Sequence, residues 1–439
     1  MIMSKKDSKK KNFQLVKGMK DLMPEEQRYW NFVRQLVDKT AGAYGFERID
    51  TPLLEATDLF VRGVGSTTDI VEKEMYSFVD QGGDKLSLRP EGTAGVARSY
   101  IEHGMLNRPQ PVKLYYLGPM YRHENPQSGR FRQHYQFGFE VLGEADAVID
   151  AQLILIAYKI YQAINLPVVI QVNSIGCAGC RPEYLIQLKD HLRKNKSKLS
   201  EISQERLNKN PLRILDSKEK EDSPIIAEAP QQIDFLCEGC KSHFIQVLEY
   251  LDELGIPYAL NPSIVRGLDY YSKTTFEIWT AAEEESRQSA LGGGGRYDGL
   301  VELLGGLDTP GIGFACGIER MIAQIKETDF KVPEQDKPDI FLAQLGAEAR
   351  KKSLTLLEEL VGANVKVAEN FSKSGLKGQL EVADKLKVKF TLILGQKEIM
   401  DGTVLIRDME NGNQETVDCK KIVAEIQKRL AKSAVSEKK

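Results

Sequence analysis

The segment from Tyr135 to Val141 constrains the fold most, because its side chains change character at every residue. One face of an extended chain would carry Phe137, Phe139 and Val141, and the other would carry Gln136, Gly138 and Glu140. An amide, a glycine and a carboxylate make a poor core surface but a good pocket floor, since glycine leaves room for a ligand between two polar groups. We therefore expect a strand that covers a core with one face and binds a ligand with the other.

Short strand-like runs surround this segment. From Phe46 to Gly143 they are broken by Gly and Pro, which is typical of an antiparallel sheet. Before them, apolar residues recur at helical spacing from Glu25 to Ala41, and Pro24 suits the first position of a helix. The sequence thus predicts an amphipathic helix followed by an antiparallel sheet.

The chain of 439 residues is too long for one ordinary core. Short apolar strands alternate with helical segments in its last quarter, which predicts a small α/β domain. We predict the following segments: a disordered basic tail at 1–12, a first domain at 13–332 with an inserted segment at about 173–262, a linker at 333–337, a second domain at 338–430 and a tail at 431–439.

Composition limits the class of protein. No apolar run is long enough to span a bilayer, and six cysteines in so long a chain favour a reducing compartment, so we expect a cytoplasmic protein without membrane contact. The net charge is only −3, and any nucleic acid must therefore be bound by local basic patches.

Several cations could meet phosphates near the expected pocket. Period-two alternation in Tyr121–Glu124 places Arg122 and Glu124 on one strand face, and the loop from Gln127 to Phe131 contributes Arg130, with Arg132 just beyond it. The alternative is a solvated sheet face with incidental ion pairs.

A turn before a predicted helix, Ala94 to Tyr100, carries Glu91 and Thr93. The carboxylate could receive an ammonium group. The alternative is a simple helix cap, which is a frequent role of Thr before a helical run.

Two glycine-rich segments, Gly292–Gly295 and Gly311–Gly317, would let the main chain approach a ligand closely, and Arg320 follows the second. The second has the spacing G-x-G-x-x-x-G, which is not the dinucleotide-binding pattern. A P-loop is absent from the sequence, so ATP would be held in another way.

These segments, in this order, resemble the class II aminoacyl-tRNA synthetases. Three of them resemble the motifs of the class: Gly45–Glu55 with Pro52, Tyr121–Glu140 and Gly311–Arg320. Three others are similar to segments of the histidyl-tRNA synthetases: Lys17–Pro24, Arg266–Tyr271 and Gly294–Asp298. The resemblance covers about Phe13 to Leu430.

The resemblance implies an α/β (α+β) fold: an antiparallel-sheet catalytic domain with a helical insertion, and a C-terminal α/β domain that binds the anticodon. It implies a homodimer that joins L-histidine to tRNA(His) at the expense of ATP, with Mg²⁺ on the outer phosphates. Histidyl-adenylate and pyrophosphate would form first, and the histidyl group would then pass to the terminal ribose.

The resemblance also implies residue roles. Glu91, Thr93 and Gln136 would hold the α-amino group, while Glu140 and Tyr271, beside Tyr270, would meet the imidazole nitrogens. The ATP-binding residues would be Arg122 on the α-phosphate, Glu124 near the adenine, Arg130, and Arg320 at the far end. Arg266 would approach the α-phosphate from the other side, so that Arg122 and Arg266 supply the catalysis.

Two cysteine pairs, Cys177-x-x-Cys180 and Cys237-x-x-Cys240, have the local spacing of a four-thiolate zinc site. Such a site would join the two ends of the insertion. Reduced structural thiols are the alternative, because many synthetases of this family lack these cysteines.

A non-catalytic alternative also exists, since paralogues of these synthetases act as histidine-sensing regulatory subunits. Those proteins typically lose the anticodon-binding domain and catalytic residues. This sequence has Arg122, Arg266 and Arg320 and a complete C-terminal segment, which favours the enzyme.

Overall fold

The computed structural model describes residues 12–125, 129–217, 219–281, 290–334 and 337–436. The chain forms two compact units, Met1–Pro333 and Glu334–Lys439. No helix within these described ranges is long and apolar enough to cross a membrane.

The described part of the first unit contains strands β1 (Glu47–Arg48), β2 (Leu54–Ala56), β3 (Ser77–Val79), β4 (Lys85–Leu88), β5 (Val112–Tyr121), β6 (Gln133–Leu142), β7 (Val168–Ser174), β8 (Tyr258–Leu260), β9 (Ser272–Thr280), β10 (Gly292–Arg296) and β11 (Gly311–Gly317). Eight of them form one sheet in the order β1-β5-β6-β11-β10-β9-β7-β8. The pairings between β5 and β7 in this order are all antiparallel, and only the two edge pairings are parallel. The predicted antiparallel sheet is confirmed.

The helices of this unit are α1 (Gln27–Ala43), α2 (Thr57–Val64), α3 (Thr93–Glu102), α4 (Ala147–Gln162), α5 (Arg181–Lys194), α6 (Glu201–Lys209), α7 (Ser223–Ala227), α8 (Glu238–Glu253), α9 (Leu300–Leu303) and α10 (Ile318–Glu327). The apolar face of β6 is fully buried in a core that it shares with α1, α4 and α10. Because the helices cover that face, the polar face of β6 is left for a pocket.

The inserted helices α5 to α7 have a core of their own, which includes Tyr184, Leu188 and Ile225. By contrast, Phe244 and Leu251 of α8 belong to the main core. The segment predicted as an insertion, 173–262, therefore also includes a helix and a strand of the sheet domain. The helices with a separate core span 181–227.

Strand β5 ends at Tyr121, so the prediction that Arg122 and Glu124 lie on a strand was wrong. The backbone N–H of Arg122 still bonds to the carbonyl of Arg132 at 2.9 Å, but the N–H of His123 bonds to Glu74 at 2.7 Å. The chain exchanges one hydrogen-bonding partner for another and leaves the ladder. Residues 127 and 128 of the predicted loop lie outside the described residues.

The described residues of the second unit form strands β12 (Ile340–Gln344), β13 (Val367–Glu369), β14 (Phe390–Leu394), β15 (Thr403–Asp408) and β16 (Gln414–Asp418), with helices α11 (Ala347–Gly362), α12 (Leu376–Leu386), α13 (Gln396–Asp401) and α14 (Ile422–Ser436). The sheet order is β13-β12-β14-β15-β16. Ile340 and Leu342 pack into one core, and Phe341 and Ala343 into another, because successive side chains of a strand point to opposite faces. The predicted α/β domain is confirmed, and α14 extends to Ser436, beyond the predicted boundary at 430.

Candidate active site

A cavity of about 610 Å³ lies over the polar face of the sheet, at β6, β10 and β11. Ten of the eleven pocket residues selected from the sequence line it: Glu91, Thr93, Arg122, Glu124, Arg130, Gln136, Arg266, Tyr270, Tyr271 and Arg320. The eleventh, Glu140, is only 1% exposed and lies beneath the lining residues. The tertiary structure thus brings together segments that are up to 229 residues apart, from Glu91 to Arg320.

Glu91 lies at the start of α3, where its carboxylate accepts hydrogen bonds from the backbone N–H groups of Thr93 at 2.6 Å and Ala94 at 2.8 Å. The helix cap expected at this turn therefore exists, but Glu91 and not Thr93 provides it. Burial raises the pKa of Glu91, and the two N–H groups oppose this effect. Glu91 still lines the cavity, so the capping carboxyl group is also accessible to a ligand.

Glu140 is held by two hydroxyl groups. Thr93 Oγ1 donates to one carboxylate oxygen at 2.7 Å, and Tyr297 Oη donates to the other at 2.6 Å. Burial raises the pKa of Glu140 to about 8, although both hydroxyl groups lower it. Gly313 is the partner of Glu140 on the adjacent strand, and a Cβ atom there would lie 1.7 Å from the carboxylate. Glycine at this position is required for the carboxylate to fit.

The sequence suggested that the space above Gly138 is free for a ligand. The structure shows that this space is occupied. Tyr116 is the partner of Gly138 in the pairing of β5 with β6, and its ring fills that space. A Cβ atom on Gly138 would lie 2.4 Å from the Tyr116 hydroxyl. The missing side chain thus makes room for a neighbouring tyrosine, and Tyr116 itself lines the cavity.

The segment between β8 and β9 forms one wall of the cavity with Tyr270, Tyr271 and Arg266. The rings of Tyr270 and Tyr271 pack with their centroids 4.7 Å apart, and the guanidinium of Arg266 lies 5.3 Å from the Tyr271 ring centroid. Arg266 also pairs with Glu277 at 2.9 Å. A Cβ atom on Gly293 would lie 2.6 Å from the guanidinium, so the glycine-rich strand β10 makes room for this arginine.

Three further arginines line the cavity. Arg122 donates to the carbonyl of Pro90 at 2.8 Å, and Arg320 donates to the carbonyl of Ala290. Glu124 lies 4.0 Å from Arg122 and 3.6 Å from Arg130. The planar guanidinium groups of these arginines can donate two hydrogen bonds each to phosphate oxygens, which suits a polyphosphate.

Several lining residues received no role in ligand binding from the sequence. His134 precedes Gln136 by two residues, and the alternation of β6 places it on the same face, where it lines the cavity. Burial lowers the pKa of His134 to about 3, with help from the charge of Arg122, and the ring is neutral. Arg206 and Arg213 of the inserted helices also reach the cavity, and no local pattern indicates them.

The four cysteines of the two pairs also converge. Their sulfur atoms all lie within 4.8 Å of one another, although 60 residues separate Cys177 from Cys237. Cys180 and Cys240 are buried, Cys177 is partly exposed and Cys237 is exposed.

An antiparallel sheet that carries a pocket rich in arginine, in a chain without a P-loop, is the arrangement expected of a class II aminoacyl-tRNA synthetase, and the comparisons with known proteins assign the chain to that class. The family model described as Histidyl-tRNA synthetase matches residues 18–321, and the model described as Anticodon binding domain matches residues 339–429. The chain belongs to the histidyl-tRNA synthetase family.

Relatives support this assignment over the whole length of the chain. The Histidine--tRNA ligase of Dehalococcoides mccartyi (strain ATCC BAA-2266 / KCTC 15142 / 195) is 45% identical over 419 residues, covering 95% of this chain and 100% of the relative. The Histidine--tRNA ligase of Desulforamulus reducens is 43% identical, and the match covers 94% of this chain and 98% of that relative. The structure of apo histidyl-tRNA synthetase from S. aureus matches with a TM-score of 0.77 and 35% identity, covering 94% of this chain and 100% of that one. Membership of this family makes the chain an enzyme, an aminoacyl-tRNA ligase.

Proposed function

We propose that this ligase activates L-histidine with ATP in the cavity described above and then transfers the histidyl group to the 3′ end of tRNA(His). The observation that carries the proposal is the placement of a buried carboxylate, Glu140, directly beneath a pocket that Arg122 and Arg266 also line. A carboxylate suits an imidazole, and two arginines suit the α-phosphate of ATP.

Histidine binding uses the floor and one wall of the cavity. Glu91 and Gln136 receive the α-amino group together with Thr93, and the buried environment strengthens these interactions. The imidazole lies between Glu140 and Tyr271, with Tyr270 packed against Tyr271. A neutral imidazole has one donor and one acceptor, so a site that satisfies both rejects side chains that lack them.

Activation forms one bond and breaks another. A carboxylate oxygen of histidine attacks the α-phosphorus of ATP, and the bond from that phosphorus to the bridging oxygen breaks, so that pyrophosphate leaves. Arg122 and Arg266 stabilise the charge that develops on the α-phosphate. Glu277 fixes the guanidinium of Arg266 at 2.9 Å. Arg130 and Arg320 bind the outer phosphates, and Glu124 lies near the adenine.

Mg²⁺ fits this site as a companion of the nucleotide. Among the residues described in the structure, the cysteine cluster is the only group of three or more side chains able to hold a metal ion. A magnesium ion in the cavity would therefore take most of its ligands from the phosphate oxygens and water, as is usual for this ion. It would neutralise charge on the leaving pyrophosphate.

The second unit would bind the anticodon of tRNA(His), and its match to an anticodon-binding domain over residues 339–429 supports this.

A homodimer is supported by the apolar side chains Leu54, Phe78 and Val79, which are exposed on the small sheet of β2, β4 and β3. A cytoplasmic location is supported by six cysteines that are all free.

The decisive test is amino-acid-dependent exchange of pyrophosphate into ATP, measured with each of the twenty amino acids. Histidine alone should support exchange, and histidinol, which lacks the attacking carboxylate, should inhibit it. Histidine binding without any exchange, while a control synthetase is active in the same buffer, would instead favour a regulatory histidine sensor.

A further inference from the structure

We infer that Cys177, Cys180, Cys237 and Cys240 form a structural zinc site, and that this site positions the histidine-binding wall through Arg181. The first half of the inference rests on the cysteine geometry alone. The second half rests on the proposed function as well, because it concerns the affinity for histidine.

The sulfur positions match the coordination geometry of zinc. The sulfurs of Cys177 and Cys180 are 3.7 Å apart, those of Cys180 and Cys240 are 3.9 Å apart, and those of Cys177 and Cys237 are 4.0 Å apart. An ion bound tetrahedrally by four thiolates at 2.3 Å separates neighbouring sulfurs by about 3.8 Å. A disulfide would need a sulfur–sulfur distance of about 2 Å, so these distances fit a shared ion and not a pair of bridges.

The backbone around the cysteines is also arranged for thiolates. The backbone N–H of Cys177 donates to the sulfur of Cys180 at 3.1 Å. Cys180 directly precedes α5, and Cys237 directly precedes α8, so two helix N-termini with their partial positive charge face the cluster. Gly176 has a φ of +65°, and a Cβ atom there would lie 2.5 Å from the Cys180 sulfur. The first pair therefore depends on a glycine for close packing.

The same turn is attached to the active site. Ile175 and Gly176 exchange backbone hydrogen bonds with Lys273, both at 2.8 Å, just after Tyr271. Arg181 follows Cys180 in sequence, and its guanidinium donates to the backbone carbonyl of Tyr271 at 2.6 Å. A zinc ion that fixes Cys180 therefore fixes the first residue of α5, and through it the backbone of the imidazole-binding tyrosine. Arg181 is a positioning residue because it acts through Tyr271.

The test begins with the metal content of the full-length protein purified without added zinc. We expect about one zinc per chain, by plasma mass spectrometry, and four thiols that react only after the metal is released. The Cys237→Ser variant should lose the metal, whereas Cys419→Ser should retain it because Cys419 lies in the second unit, outside the cluster. Less than about a tenth of an equivalent of zinc, or a disulfide between any two of the four cysteines, overturns the metal site.

The coupling between the zinc site and histidine binding is tested on variants whose circular dichroism spectrum equals that of the unmodified protein, which shows that they are folded. Arg181→Ala should keep its zinc and raise the KM for histidine about tenfold in pyrophosphate exchange, with the KM for ATP nearly unchanged. Arg181→Lys should restore part of the loss, since it keeps one donor. Removal of zinc with a mercurial and chelator should give the same selective increase, reversed by added zinc. A protein that binds zinc but keeps its KM for histidine in both experiments overturns the coupling, and absence of exchange in the unmodified protein is a failure of the proposed function instead.

Discussion

Tyr297 donates a hydrogen bond to the carboxylate of Glu140 at 2.6 Å, at a place where neither group reaches solvent. The sequence suggested Tyr271 as the partner of Glu140 in an imidazole site, and Tyr297 belongs to a different segment, Gly294–Asp298. Two of the three segments that resemble those of histidyl-tRNA synthetases, Arg266–Tyr271 and Gly294–Asp298, thus have different roles in the site. Tyr271 forms the wall of the pocket, and Tyr297 orients the carboxylate beneath it.

Tyr297→Phe should therefore weaken histidine binding more than ATP binding. Leaving a buried oxygen of Glu140 without its hydrogen-bonding partner costs about 1 to 3 kcal/mol, which corresponds to a KM for histidine at least about fivefold higher. Pyrophosphate exchange at varied histidine and ATP measures both constants. Tyr250→Phe, on the exposed side of α8, is the matched control and should have no effect. An unchanged KM for histidine would show that this hydroxyl does not orient Glu140.

Glu140 should make stability depend on pH. Burial raises its pKa to about 8, so the folded protein keeps a proton that the unfolded chain releases near the ordinary pKa of 4.5. The free energy of unfolding contributed by this group therefore decreases as pH rises from about 4.5 to 8. Glu140→Gln lacks this dependence, and the stability of the wild type relative to the variant should decrease by about 2 to 4 kcal/mol between pH 5 and pH 8. Urea unfolding at both pH values measures the difference, and a constant difference would contradict the raised pKa.

Arg266→Ala should fold normally and lose most of its exchange activity. Loss of one preorganised group that stabilises developing charge typically lowers kcat by about a hundredfold or more. Glu277→Gln, which removes only the partner of Arg266, should cause a smaller loss. Arg108→Ala is the control, because this exposed arginine lies outside the cavity. Near-normal adenylate formation by Arg266→Ala would rule out the catalytic role.

Gly313→Ala should destabilise the protein and impair histidine binding together. Its new Cβ atom would meet the Glu140 carboxylate at 1.7 Å, so the carboxylate must move away from Tyr297. Overpacking of this kind costs about 1 to 3 kcal/mol. Gly42→Ala in α1 is the control, because nothing lies within 4 Å of its new methyl group, and it should be neutral or slightly stabilising. Thermal melting temperatures and the KM for histidine, measured for both the Gly313→Ala and the Gly42→Ala variants, test this prediction.

Deletion of the second unit should separate the two steps of the reaction. The unit has its own hydrophobic cores, and the first unit is compact without it. A protein ending near Pro333 should keep adenylate formation and charge tRNA(His) at least tenfold more slowly, because anticodon contacts are lost. Equal charging rates would contradict an anticodon-binding role for this unit.

The fold could be predicted from the sequence wherever a local pattern records burial. The alternation in β6 and the helical spacing in α1 identify the face of each element that packs into the core. This is possible because the apolar side chains of a strand or helix must be buried whatever the other elements are. The prediction of Arg122 and Glu124 on a strand was wrong. After Arg122, which still bonds to Arg132, the backbone N–H of His123 bonds to the carbonyl of Glu74. A contact with so distant a residue cannot be read from the local sequence pattern.

By itself, the sequence determined the chemical groups of this enzyme: the two glycine-rich strands, the arginines, the carboxylates and the four cysteines. The tertiary structure alone decided what each glycine makes room for, namely Tyr116 above Gly138, Glu140 beside Gly313 and Arg266 beside Gly293. It also decided that Tyr297 orients Glu140 and that Arg181 connects the cysteines to Tyr271. The physical reason is that these contacts depend on strand register and on the packing of distant segments, which a one-dimensional pattern of residue types does not contain.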